Sequence, residues 1–219
     1  MNVMWWRKMT KEKWIDISQP LTNRIAHWPG DISFSYRTTF RKEQTGSVNI
    51  GKITTSLHTG THVDAPYHFD NDGEKIIDLD IELYIGPARV IDVSQYNKID
   101  TSILKNFDLE GVERLLLKTN VPNQPNYFPQ RIPDISSDIA SYLAEVGVRL
   151  IGVDVPSVDQ LDSKDMAVHH ALNKRGIYIL ENIMLDKIIE GNYELIALPL
   201  PIIEGDGSPV RAVIRPLKT

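Results

Sequence analysis

Apolar and polar positions alternate over much of the first half of the chain and fall into longer, helix-like periods in the second. Lys13-Trp14-Ile15-Asp16-Ile17-Ser18 alternates as a short strand does, because successive side chains of an extended backbone face opposite ways. Residues 34–40 and 48–56 carry β-branched and aromatic side chains and predict two more strands. Between the first two strands, Trp28-Pro29-Gly30-Asp31 reads as a turn, proline fixing φ and glycine permitting a positive one. A turn at Gly86-Pro87 opens a strand over residues 86–93, and Arg114-Leu115-Leu116-Leu117-Lys118-Thr119 has the length of a buried strand. Ile139, Tyr142, Leu143 and Val146 then recur at helical spacing within residues 137–146, with Gly147 as C-cap. Residues 148–155 form a continuous apolar strand. Residues 164–174 predict a helix capped by Asp162 or Ser163 and stopped by Gly176, and residues 177–180 another strand. A helix over 182–190 closed by Gly191, then strands over 195–203 and 210–214 about the Gly205-Asp206-Gly207 turn, complete the pattern. The expected fold is a mixed-sheet α/β domain with flanking helices spanning residues 1–219, of which 1–12 are an N-terminal extension.

Composition narrows the function. With 42% apolar and 24% charged residues the chain is an ordinary globular one rather than disordered. Its longest apolar stretch, residues 195–203, falls far short of the ~20 residues of a membrane span. A net charge of −5 argues against nucleic acid as a partner. The absence of cysteine removes disulfides, thiolate nucleophiles and thiolate metal sites together. Residues 1–13 lack the apolar core of a signal peptide, so a cytoplasmic location is expected.

Three of the six histidines fall within the eleven residues His58-Thr59-Gly60-Thr61-His62-Val63-Asp64-Ala65-Pro66-Tyr67-His68. Gly60, the β-branched residues and Pro66 oppose a helix there. In an extended chain the even steps put His58, His62 and Asp64 on one side, with Gly60 leaving room between them. Two imidazoles and a carboxylate make the three-ligand set of a catalytic Zn²⁺ or Mn²⁺ with an open position. Pro66 then bends the chain, bringing His68 back beside the site without making it a ligand. A second cluster comprises His169 and His170 on the short helix and Glu181 at a strand end. Its plain alternative is one buried and one solvated imidazole, with Glu181 a first-turn acid of the next helix. Trp28 is either a packed loop anchor or a stacking surface for an aromatic substrate. With no cysteine and no Gly-x-Ser-x-Gly elbow, a covalent acyl-enzyme route has no support.

The segment from His58 to Phe69 closely resembles the HxGTHxDxPxH signature of the metal-dependent cyclase family, and within it the bacterial kynurenine formamidases. The resemblance extends to Asp16-Ile17-Ser18-Gln19-Pro20-Leu21, Trp28-Pro29-Gly30-Asp31, Asp162-Ser163-Lys164-Asp165, His169-His170 and Ile179-Leu180-Glu181. It implies a swivelling β/β/α fold and two divalent metal ions, zinc first, with manganese or iron also suited. His58, His62 and Asp64 would hold the first ion. Asp64 would bridge to a second held by His169, and Glu181 would contact both. His68 would transfer protons and Trp28 would face the substrate's aryl ring. The implied reaction is hydrolysis of a small aromatic amide, N-formyl-L-kynurenine, to L-kynurenine and formate, by hydroxide generated at the metals, in a homo-oligomer. Isatin or another cyclic amide is the alternative substrate, and a metal-binding protein without catalysis the non-enzymatic one.

Overall fold

The computed structural model describes residues 13–217. Its elements, in chain order, are β1 (Ile15–Asp16), β2 (Ser35–Phe40), α1 (Lys42–Thr45), β3 (Ile50–Thr54), β4 (His62–Asp64), β5 (Ile85–Asp92), β6 (Lys98–Ile99), α2 (Thr101–Leu104), β7 (Arg114–Lys118), β8 (Asp134–Ile135), α3 (Ile139–Val146), β9 (Leu150–Val153), α4 (Ala167–Asn173), β10 (Tyr178–Glu181), β11 (Gly191–Ile196), β12 (Gly207–Pro209) and β13 (Val213–Pro216). Nine strands form one mixed sheet in the order β1-β13-β11-β5-β7-β9-β10-β4-β12. Its middle, β5-β7-β9-β10, is parallel, and antiparallel strands extend it on both sides.

The run of leucines in β7 shows why both faces are dry. Leu115 and Leu117 pack into one apolar cluster and Leu116 into the other, as the two-residue period of a strand dictates. The first cluster is covered by Leu104 of α2, Ile139 and Leu143 of α3, and Val168 and Leu172 of α4. The second is closed by Ile76, Leu79, Leu83 and Tyr84, from 3₁₀ turns and their connections. Gly147 ends α3 at φ 96°, the left-handed C-cap its sequence predicts. No helix among the described residues is long and apolar enough to cross a membrane.

Three expectations fail for identifiable reasons, and a fourth element is displaced. Residues 182–190 are not helical. Asn182 sits at φ 56°, and the following backbone N–H groups donate to distant acceptors: Ile183 to Val153 O, Met184 to Ile17 O, and Leu185 and Asp186 to Asn123 Oδ1. Donors committed to other elements cannot close i→i−4 bonds. The strand expected over 195–203 ends at Ile196, before Pro199 and Pro201, which lack the N–H a ladder needs; it begins at Gly191 instead. The helix expected from residue 164 begins at Ala167, and its cap is neither Asp162 nor Ser163. Asp159 fills that role, its carboxylate accepting from the N–H groups of Val168 and His169 at 3.0 Å each. The last expected strand, 210–214, is shifted to Val213–Pro216, with β12 forming separately before it. Trp5 and Trp6 lie outside the described residues.

Candidate metal centre

β4 lies between β10 and β12, antiparallel to both, and places His62 opposite Glu181 and Asp64 opposite Gly207. The strand's alternation sends Val63 into the core and His62 and Asp64 to the other face. His58 is not on the strand. It sits in the preceding turn and still reaches Asp64, so the extended reading holds for His62 and Asp64 only. Gly60 does not leave room for a ligand either. It adopts φ +71°, and a Cβ there would meet Leu21 and Ile25 at 2.8 and 3.1 Å. The glycine that makes room is Gly207, where a Cβ would lie 2.8 Å from His58 Cε1. α4 brings the buried His169 in from the side, while His170 is exposed on the same helix.

Each donor is oriented through its other atom. His62 Nδ1 donates to Gly60 O at 2.7 Å, which turns Nε2 toward Asp64 and Glu181, 3.4 Å from an oxygen of each. His169 Nδ1 donates to Asp159 at 2.7 Å and presents Nε2 to Asp64 at 3.4 Å. Glu181 Oε1 accepts from Val158 N at 2.9 Å. His58 lies between carboxylates, Nδ1 at 2.9 Å from Asp64 and Nε2 at 3.0 Å from Asp206. Burial opposes the protonation of these imidazoles, but the facing carboxylates outweigh it. His58 is pushed up to about 9, and His62 and His169 to about 10. Burial likewise opposes ionisation of Asp64, yet the facing imidazoles of His169, His58 and His62 hold it well below the carboxylate range.

This is a donor set that fits divalent cations. His58, His62 and Asp64 can each offer an atom within 4.8 Å of the others, and so can Asp64, His169 and Glu181, so Asp64 is common to both groups. Its Oδ2 is buried without a hydrogen-bond partner, an expensive arrangement for a carboxylate unless a cation completes it. The oxygen and imidazole ligands suit zinc, manganese or iron. His58, His68 and Asp206 form a third such group. His68 follows Pro66 in a 3₁₀ turn and stacks on His58 with ring centres 3.8 Å apart.

A cavity of about 340 Å³ opens onto the cluster, with His58, His62, His68, His169 and Glu181 at one end. Trp28, Tyr127 and Phe128 supply an aromatic wall, Trp28 meeting Phe128 edge to face at 5.3 Å. Both non-glycine residues with positive φ among those described, Met166 and Asn182, also line it, strain of a kind that gathers at working sites. Sequence reasoning missed Asp159, Asp206 and Gly207. Of these only Asp206 carried a signal, an acid between two glycines, and it reads equally well as an ordinary turn.

Residues 15–160 match the Cyclase family. The kynurenine formamidase of Bacillus mycoides (strain KBAB4) is 62% identical over 209 residues, 95% of this chain and 100% of the relative. That of Bacillus cereus (strain ATCC 14579) is 61% identical over the same share of both chains. Among solved structures, a potential metal-dependent hydrolase with cyclase activity superposes with a TM-score of 0.80 at 23% identity, covering 94% of this chain and 99% of the other. An isatin hydrolase bound to the product analogue thioisatinate gives 0.80 at 20%, covering 94% and 93%. At such identities the two structures speak to the fold alone.

Proposed function

Because the chain belongs to the Cyclase family, we propose that it hydrolyses N-formyl-L-kynurenine to L-kynurenine and formate as a metal-dependent enzyme. The observation that carries the reading is Asp64, a buried carboxylate shared by two imidazole-containing donor groups at the end of an aromatic-walled cavity. The near full-length identity to kynurenine formamidases supports the substrate. His58, His62 and Asp64 would hold one ion, and His169 with Asp64 a second, with Glu181 reaching both. Zinc is the first choice of metal. Bound there, divalent ions supply Lewis acidity toward a carbonyl oxygen and lower the pKa of water to about 7.

The chain's own groups do the rest. Among the residues that would hold the ions, Asp64 and Glu181 would bring two negative charges, fewer than two divalent ions carry, so the loaded centre would favour the oxyanion that develops when water adds to the formyl carbon. The C–N bond then breaks, and the aryl nitrogen, a poor leaving group as an anion, must take a proton. His68 would hand it over; it lines the cavity at the cluster with about a third of its side chain exposed, which supports that role. An imidazole both holds and releases a proton near neutral pH. Trp28 and Phe128 offer the aryl ring a seat whose contact is similar before and during the reaction.

The reading includes a homo-oligomer, supported by the exposed apolar residues Tyr36, Phe40, Ile50 and Ile53 of the β2–β3 hairpin, and keeps the cytoplasmic location expected from the sequence. The test is a panel of N-formylkynurenine, N-formylanthranilate and isatin, assayed with the metal content measured. The highest kcat/KM is expected for N-formylkynurenine. A preference for isatin would overturn the formamidase reading and leave the hydrolytic centre standing.

A further inference from the structure

Asp154 follows the last residue of β9, at the carboxyl end of the parallel strands, where open α/β sheets receive their ligands. It lines the cavity, outside the metal cluster, and the chemistry above makes no use of it. Only 3% of its surface is exposed. Its two carboxylate oxygens share a single backbone donor, Thr119 N–H, at 3.1 and 3.0 Å. The influences on it are burial first, then Thr119, then the neighbouring carboxylate of Asp186; no cation is among them. Asp186 stands on the far side of Asn123, whose backbone N–H donates to Asp186 at 3.1 Å and whose side chain donates to Asp154 O at 3.2 Å. Burial, with Asp186 adding to it and Thr119 opposing, pushes Asp154 up to about 7. A cavity wall thus holds a desolvated carboxyl group with no counter-ion among the described residues, whose ionised form costs free energy that an arriving cation would offset.

We propose that Asp154 is the specificity-determining residue that receives the α-ammonium group of the substrate's amino-acid arm. The inference rests on the formamidase reading and extends it. The aryl formamide is seated by the aromatic wall and the metal centre, and the ammonium by a carboxylate that an aryl formamide without an amino group leaves unpaired. Leaving that charge unpaired penalises the wrong substrate as well as rewarding the right one.

The experiment compares N-formylkynurenine with its desamino analogue, 4-(2-formamidophenyl)-4-oxobutanoate, on the metal-loaded wild type and on Asp154→Asn. A hydrogen bond to a charged group sets the scale, so the wild type is expected to prefer the ammonium-bearing compound by about 10- to 100-fold in kcat/KM, chiefly through KM. Asp154→Asn should bring that ratio close to one. Equal hydrolysis of the two compounds by the wild type overturns the assignment without recourse to any variant. So does an Asp154→Asn enzyme that loses the same factor on both, since a residue that merely holds Thr119 would act that way. Turnover of neither compound would bring down the formamidase reading and this inference with it, an outcome distinct from equal turnover of both.

Discussion

His62 and Glu181 face each other across β4 and β10 with 1% and 3% of their surfaces exposed, whereas every residue of β2 and β3 is exposed. Both regions are antiparallel pairs, though only the hairpin is rich in β-forming residues. They differ in what lies around them. β4 is flanked by strands on both sides and backed by Val63 in the core. Among the described residues the hairpin pairs only with itself, and Asn23 ties it down, accepting from Tyr36 N at 2.7 Å and donating to Tyr36 O at 3.2 Å. An isolated two-stranded hairpin is marginal in water. The contrast teaches where precision comes from. The candidate metal ligands His62 and Asp64 sit on the strand whose neighbours fix it from every side, and the loosely held strands carry apolar surface outward.

Removing the shared carboxylate is the most severe way to break the buried region. Asp64→Asn deletes the group common to both donor sets, so bound metal and turnover should both be lost, as they should after chelation of the wild type, which zinc or manganese should then restore. Metal analysis beside the assay checks this, and full activity in metal-free protein would refute it. His68→Ala should leave the metal in place and lower kcat by ~10²–10⁴-fold, the range of a general acid. A variant that lost its metal instead would make His68 a ligand.

A milder perturbation is pH. In metal-free protein, the protons on His62 and His169 are held up to about 10 by carboxylates that outweigh burial. A histidine in the unfolded chain releases its proton near ~6.5. The stabilisation from these protonated pairs is therefore complete below about pH 6.5 and is lost as pH rises toward 10. Metal competes with the same protons. The metal-free protein's Tm should fall between pH 7 and 9.5, while the rise in Tm on adding zinc should grow over the same interval. A zinc-induced rise that shrank with pH would show that the cation binds elsewhere.

What could be read from the sequence follows the same division. His58, His62 and Asp64 were legible because imidazoles and a carboxylate at fixed short spacings admit few other readings, whereas His169 and Glu181 kept a plain alternative and entered only through the family resemblance; the structure gathers all five. Their supports were not. Asp159 acts on a helix that begins eight residues later, and Asp206 reaches His58 across 148 positions of chain. Residues 182–190 misled because helical spacing says nothing about which backbone donors are already engaged. Asn123, 62 residues away from Leu185, takes two of them. Nor did the β-branched and aromatic residues of 34–40 and 48–56 announce that both faces of the hairpin would be left exposed.

That exposure supplies the last prediction, the one with the smallest expected effect on the metal centre. Tyr36, Phe40, Ile50 and Ile53 leave between 46% and 58% of their surfaces uncovered, on a strand pair that has no other strand beside it. If a second copy of the chain covers them, the exposed half of each large apolar side chain contributes about half of the ~1.5–3 kcal/mol that full burial gives. Replacing Phe40 and Ile53 together by lysine then weakens self-association by roughly 10- to 10²-fold, at ~1.4 kcal/mol per tenfold. Sedimentation at micromolar concentration should show the wild type as an oligomer and the double variant as a monomer. The metal content per chain should not change, because both side chains are more than half exposed on a hairpin separate from the sheet that carries β4 and β10. A wild type that sediments as a monomer would deny the hairpin its partner. A monomeric variant that also loses its metal would show that the donor cluster draws part of its order from the second copy, and the two regions would then be far less independent than their burial suggests.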